Sequence, residues 1–115
     1  MTKSQERILD ALWSRAVKKV AGDRCERCYK SNPLNSHHCI GRRNKTLRHV
    51  IENGVSLCVS CHFFAEQNGI AFAKWIVAKR GEAWWTKLEI ASRQVKVYKD
   101  FTAIKKYLEN FLQSK

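Results

Sequence analysis

The sequence predicts a small α+β fold, mainly helical, and three observations predict it. Apolar residues recur at helical spacing through most of the chain, two short strand-like runs stand near its middle, and two Cys-x-x-Cys pairs bracket that middle. The chain has 115 residues, one domain's length, enough for a modest core that a metal staple would strengthen.

The elements follow in order. Over residues 4–20, Ile8, Leu9, Leu12, Trp13, Ala16, Val17 and Val20 share one helical face, Ser4 is placed to cap it, and Gly22-Asp23 ends it. Residues 24–35 have no apolar period, and Ser31-Asn32-Pro33 signals a turn. Residues 36–40 and 47–51 read as two short strands around a loop over 41–45, and Glu52-Asn53-Gly54 reads as a second turn. Helices are expected over 58–67, 71–80 with Gly81 as the stop, 83–95 and 101–112. In the last, Phe101, Ile104, Leu108 and Leu112 line one face. Phe72, Trp75, Trp84, Trp85 and Phe101 could stack on unpaired bases, but in so small a domain they are expected to fill the core.

The charge balance points to a polyanionic partner. Lys and Arg number 22 against 10 acids, giving +12 and a pI near 9.8. Residues 1–49 carry net +8 and residues 50–115 net +4; between Ser36 and His49 stand Arg42, Arg43, Lys45 and Arg48 with no acid. No run approaches the roughly 20 apolar residues of a membrane span, and the N-terminus leads into an amphipathic pattern rather than an apolar signal core. A cytoplasmic protein without a membrane partner is expected, and in a reducing compartment cysteines favour metal over disulfides.

Cys25-x-x-Cys28 and Cys58-x-x-Cys61 lie 29 residues apart. Each such turn delivers two thiolates to one point, and two of them complete zinc's tetrahedral shell; a closed site of four thiolates is structural. The competing reading of such a pair is a redox dithiol. Cys39, the fifth cysteine, reads as a small buried apolar residue. A single domain follows, with an N-terminal helix over 1–22, a zinc-clamped core over 23–68 and a helical part over 69–115.

His37 and His38 precede the basic loop, Asn53 follows it, and His62 comes directly after Cys61, where bound zinc would position it. A lone histidine is more often structural than a ligand. Two adjacent ones with a third fixed by a zinc knuckle suggest a metal or acid–base site. His49 pairs with nothing in spacing and reads as a surface residue.

From Cys25 to Glu66 the chain resembles the HNH endonuclease family. The resemblance is carried by Cys-x-x-Cys, Ser-His-His, Gly-Arg-Arg-Asn-Lys-Thr-Leu-Arg, and Glu-Asn-Gly-Val-Ser-Leu-Cys-Val-Ser-Cys-His, roughly a third of the chain. It implies a ββα-metal core and a metal-dependent endonuclease that hydrolyses DNA phosphodiester bonds with low sequence specificity. Further along, Phe72-x-x-Trp75, Lys79-Arg80-Gly81, Trp85 and Leu88 are similar to phage recombination-type HNH proteins, which implies a phage nickase or junction nuclease working in a bacterial host cell.

On that resemblance the family's first His is His38, the general base; Asn53 orients it; and the last His is His62, which with His37 holds a catalytic divalent cation. Some relatives, of the colicin type, carry a further His where this chain has Glu66, which is either an oxygen ligand or a solvated acid. Two imidazoles suit Zn, Ni or Mn, and an added carboxylate suits Mn or Mg. Adjacent strand residues face opposite ways, so convergence of His37 and His38 implies a twisted or bulged strand. Arg42, Arg43, Lys45 and Arg48 would hold DNA phosphates, Arg48 nearest the cut because its guanidinium donates in a fork. A monomer would nick, whereas a symmetric homodimer would cut both strands. The alternative is a non-catalytic zinc module that binds nucleic acid, in which the cysteine knot and the charge stay and the histidines are structural.

Overall fold

A computed structural model describes residues 1–94 and 100–114. Among these are five α-helices and one two-stranded antiparallel sheet, a mainly helical α+β arrangement as expected.

Helix α1, Lys3–Val20, starts one residue before the expected position because Thr2, not Ser4, caps it. Thr2 Oγ1 accepts from the Gln5 amide at 3.1 Å while Gln5 Oε1 accepts from the Thr2 amide at 2.9 Å. Its buried residues are Leu9, Trp13, Ala16 and Val17. Strand β1, Leu34–His38, pairs with β2, Gly54–Cys58, from Leu34 opposite Cys58 to His38 opposite Gly54. The second strand therefore differs from the expected 47–51. That run does alternate, with Leu47, His49 and Ile51 buried, but it is a chain of turns ending in a 3-10 turn at Ile51–Asn53. The true strand was hidden because all five of its residues are buried, which removes the alternation of a half-exposed strand.

Helix α2, Val59–Gln67, begins directly after β2, with the Cys58 sulfur accepting from the Cys61 amide as its cap. Helices α3, Gly69–Arg80, and α4, Glu82–Ser92, meet at Gly81, whose φ of 97° lets the chain turn between them. The expected end of α4 at Val95 lies outside the described residues. Helix α5, Phe101–Gln113, returns to pack on α1. No helix among the described residues is long and apolar enough to cross a membrane.

Two clusters make the core. One joins Cys25, Val55, Leu57, Cys58, Cys61 and Ala65 to Phe72 and Ile76 of α3. The other joins Leu9, Trp13, Ala16 and Val17 of α1 to Ile51 and to Leu108 of α5. The hairpin lies between them. Phe72, Trp75, Trp84 and Phe101 all belong to or pack against these clusters, as their core reading requires; Trp85, expected there too, belongs to neither and lies half-buried with its ring 5.9 Å from that of Trp84. At the C-terminus of α5, Lys19 Nζ donates to the carbonyls of Phe111 at 3.0 Å and Leu112 at 3.1 Å, answering acceptors a helix end leaves open.

Candidate metal centre and histidine site

The turn after α1 carries Cys25 and Cys28, while the β2–α2 junction carries Cys58 and Cys61. The four sulfurs lie within 4.8 Å of one another. Cys28 Sγ is 3.4 Å from Cys58 Sγ, close to the roughly 3.8 Å edge expected of four thiolates each about 2.3 Å from zinc. None of them is in a disulfide. The Arg27 and Cys28 amides both donate to Cys25 Sγ at 3.4 Å. The Ser60 hydroxyl, 3.4 Å away, brings the Cys58 thiol down to about 6, and burial pushes Cys61 up to about 12. Arg27 lies 3.6 Å from Cys61 Sγ and 3.9 Å above the Phe64 ring, a cation beside sulfurs that carry charge when metal-bound. This donor set can hold a metal ion such as zinc.

The same junction positions His62, the residue after Cys61. Its ring centre is 5.2 Å from that of His37 on β1, with the planes at 70°. Phe72 of α3 packs against His37 at 5.0 Å. Burial, with a smaller contribution from His62, brings the His37 pKa down to about 4, so this imidazole is neutral at physiological pH. Glu66 Oε1 is 3.8 Å from His62 Nε2, and its side chain is 59% exposed. Among the described residues only the four cysteines form a group of three or more His, Cys, Asp or Glu with ligand atoms that close together; His37, His62 and Glu66 do not.

His38 faces other neighbours. Its ring stacks on Trp13 at 3.9 Å, nearly parallel at 8°. His38 Nε2 lies 3.0 Å from the Arg48 carbonyl oxygen. A carbonyl only accepts, so Nε2 carries the proton and Nδ1 keeps its lone pair. Burial lowers the His38 pKa, which keeps the ring neutral. The expected bulge is absent: the ladder runs in unbroken register through His37 and His38, and the Cys39 amide continues it to Asn53 O at 2.8 Å. The two rings accordingly diverge, His37 toward α2 and α3, His38 toward α1.

Asn53 is fully buried. Its Oδ1 accepts from the Ile40 amide at 2.8 Å, and its Nδ2 donates to the carbonyls of Ile40 at 2.9 Å and Leu47 at 3.3 Å. It reaches the main chain at both ends of the basic loop rather than the ring of His38. The loop is tied further by Asn44 Nδ2 to Ser92 O at 2.9 Å and by Thr46 Oγ1 to Gln94 O at 3.1 Å.

The basic residues divide. Arg42 and Arg43 are exposed on the loop. Lys45 Nζ lies 2.6 Å from Glu6 Oε2. Arg48 forks onto Asp10, Nε to Oδ1 at 3.0 Å and Nη2 to Oδ2 at 2.7 Å, and Nη1 reaches Glu6 Oε2 at 3.3 Å. Its guanidinium is thus turned inward to α1. His49 is no surface residue: it is 4% exposed, and its Nε2 donates to Asp10 Oδ1 at 2.6 Å. Burial lowers its pKa despite the carboxylate, so the pair is a neutral imidazole on an ionised Asp10. Burial works against that ionisation, but the Arg48 and His49 hydrogen bonds prevail and lower the Asp10 pKa. Cys39 packs against the first core cluster, and burial raises its thiol to about 12.

Glu6, Asp10 and Trp13 were not anticipated as site residues. The signal was present, since Glu6 and Asp10 are the only acids in the first 22 residues, stand one helical turn apart and lie beside the apolar face. No protein-family model, curated protein or solved structure matches the chain.

Proposed function

We propose that this protein is a metal-dependent endonuclease of the HNH type, acting on DNA phosphodiester bonds with little sequence specificity. The observation that carries the reading is the His37–His62 pair beside the cysteine cluster, with His38 held as the Nε2–H tautomer at the end of the same strand. The succession of β1, β2 and α2, a hairpin followed at once by a helix, is also the order a ββα-metal core requires.

The donor chemistry fits two kinds of ion. The cysteines would hold structural zinc. His37 and His62 would hold a catalytic divalent ion; two imidazoles each about 2.0–2.1 Å from one ion place their ring centres roughly 5 Å apart, the spacing found here. Exposed Glu66 can add a carboxylate oxygen or remain solvated. When bound, the cation supplies Lewis-acid neutralisation of the phosphate and of the leaving 3′ oxygen.

The chain's own groups do the rest. From the α1 side of the hairpin, His38 Nδ1 would take the proton of the attacking water as oxygen bonds to phosphorus and the P–O3′ bond breaks, with the phosphate reaching across to the side that bears His37 and His62. Asn53 acts as a positioning residue by bracing the loop that follows His38. Arg42 and Arg43, exposed on the loop, would grip the phosphate backbone without reading bases, and Lys45 would join them on leaving Glu6. Arg48 serves this site through its main-chain carbonyl, since its side chain is engaged by Asp10 and Glu6.

The test is cleavage of supercoiled plasmid and branched DNA with Mg, Mn, Ni or Zn, beside His38→Ala and His62→Ala, with metal counted by native mass spectrometry. Metal-dependent nicking lost in both variants, with a second ion bound besides zinc, is expected. A second reading, a non-catalytic zinc module that binds nucleic acid, is favoured by the inward Arg48 and the unclosed set of His37, His62 and Glu66. One zinc per chain and DNA binding without cleavage in any metal would establish it instead.

A further inference from the structure

We infer that Asp10 of α1 is the positioning residue for His38: by gripping the side chains on both sides of the Arg48–His49 peptide, it aims the carbonyl that fixes the His38 ring. The inference rests on the reading of His38 as general base, but its geometry stands independently. The Asp10 carboxylate accepts from Arg48 Nε at 3.0 Å, Arg48 Nη2 at 2.7 Å and His49 Nε2 at 2.6 Å. The carbonyl that accepts from His38 Nε2 at 3.0 Å belongs to the peptide between those two residues. A peptide unit is planar and rigid, so anchoring both flanking side chains sets the direction of its oxygen.

This segment has no ladder to direct that oxygen, because residues 40–50 lie between the two strands and form neither of them. Asn53 holds the Leu47 carbonyl from one side, and Asp10 holds Arg48 and His49 from the other. Trp13, three residues beyond Asp10 on the same helix, completes the arrangement. Its ring lies flat against His38, and its Nε1 donates to Val50 O at 2.8 Å. One face of α1 therefore directs both the ring of His38 and the acceptor that holds its proton on Nε2. Glu6, one turn earlier, takes Arg48 Nη1 and Lys45.

The experiment compares Asp10→Asn, Asp10→Ala and Asp10→Glu with the unaltered zinc-loaded chain. Imidazole nitrogen NMR reads His38 directly, and nicking kinetics follow its work. The unaltered chain is expected to show one His38 species, protonated at Nε2 and bare at Nδ1. In Asp10→Asn and Asp10→Ala that signature should broaden or split, with zinc content and far-UV dichroism unchanged. The nicking kcat should fall by about 100-fold, the order a misplaced catalytic group costs, while KM for DNA holds. Asp10→Glu should recover part of both. An unaltered chain protonated at Nδ1 overturns the inference, as do variants that keep the sharp His38 signature. Variants that lose the fold overturn it in favour of a purely structural Asp10. If the unaltered chain cuts no DNA, the nuclease reading fails and the NMR comparison alone decides the clamp.

Discussion

At Gly54 an added Cβ would lie 2.2 Å from Val17 Cγ2 and 2.8 Å from Trp13 Cζ2. The residue is extended at φ −108°, so glycine is needed here for close approach and not for a left-handed turn. Gly54→Ala should push α1 off the hairpin, costing about 1–3 kcal/mol in urea unfolding; an unchanged midpoint would mean that α1 shifts freely. Asn53 beside it presents a donor to two carbonyls and an acceptor to one amide. Asn53→Asp replaces that donor with an oxygen facing the Ile40 and Leu47 carbonyls. It should destabilise by at least the roughly 1–3 kcal/mol of a buried unpaired polar group, and more than Asn53→Ser in the same denaturation series. The Asn-Gly pair is legible in the sequence as a place where the chain changes course. Its reason is not, because the constraint comes from Val17 and Trp13, some forty residues away. His49 was illegible in the same way: its partner Asp10 lies on another element, and local spacing carries no trace of it.

Among elements, α1 and α5 carry the second core cluster, and both were legible because each is amphipathic at helical period over several turns. The hairpin was half legible. His37 and His38 announced β1 through the motif, but β2 is buried on both faces and lacks alternation, whereas 47–51 alternates without a strand to pair with. Pairing across the fifteen residues between His38 and Gly54 is a tertiary fact that a local pattern does not encode. Leu108, fully buried on α5, packs at the centre of the cluster through which α5 holds α1, with Ile104, Phe111 and Leu112 around it. Leu108→Ala should cost about 2–5 kcal/mol in denaturant unfolding. Because Leu108 belongs to the second cluster and the cysteines to the first, the folded fraction of that variant should still bind one zinc at the cysteine knot. Loss of that zinc in the folded fraction would show that the two clusters do not separate.

For the whole molecule, metal and protons both act on stability, zinc through the first core cluster and protons on both sides of the hairpin. Structural zinc in small zinc domains contributes on the order of 10 kcal/mol, comparable to the whole net stability of a domain this size. A strong chelator should therefore release the first core cluster, read by hydrogen exchange as lost protection over 25–39 and 54–67, before α1 and α5 exchange; uniform protection after chelation would contradict this. Acid should work toward the same end. His37 titrates near 4 in the folded chain against an ordinary 6.5, and burial lowers His38 and His49 in the same direction. As pH falls through 6.5 the unfolded chain takes up these protons first, so stability is full above that value and declines until about 4, where His37 protonates in the fold as well. Urea midpoints of the metal-free and zinc-loaded chains, followed by tryptophan fluorescence, should fall from pH 7.5 to pH 5 in both. The fall should be steeper with zinc, since protons also compete for the thiolates. A midpoint that held steady or rose toward pH 5 would mean that the three buried histidines are paired with carboxylates strongly enough to charge inside the fold.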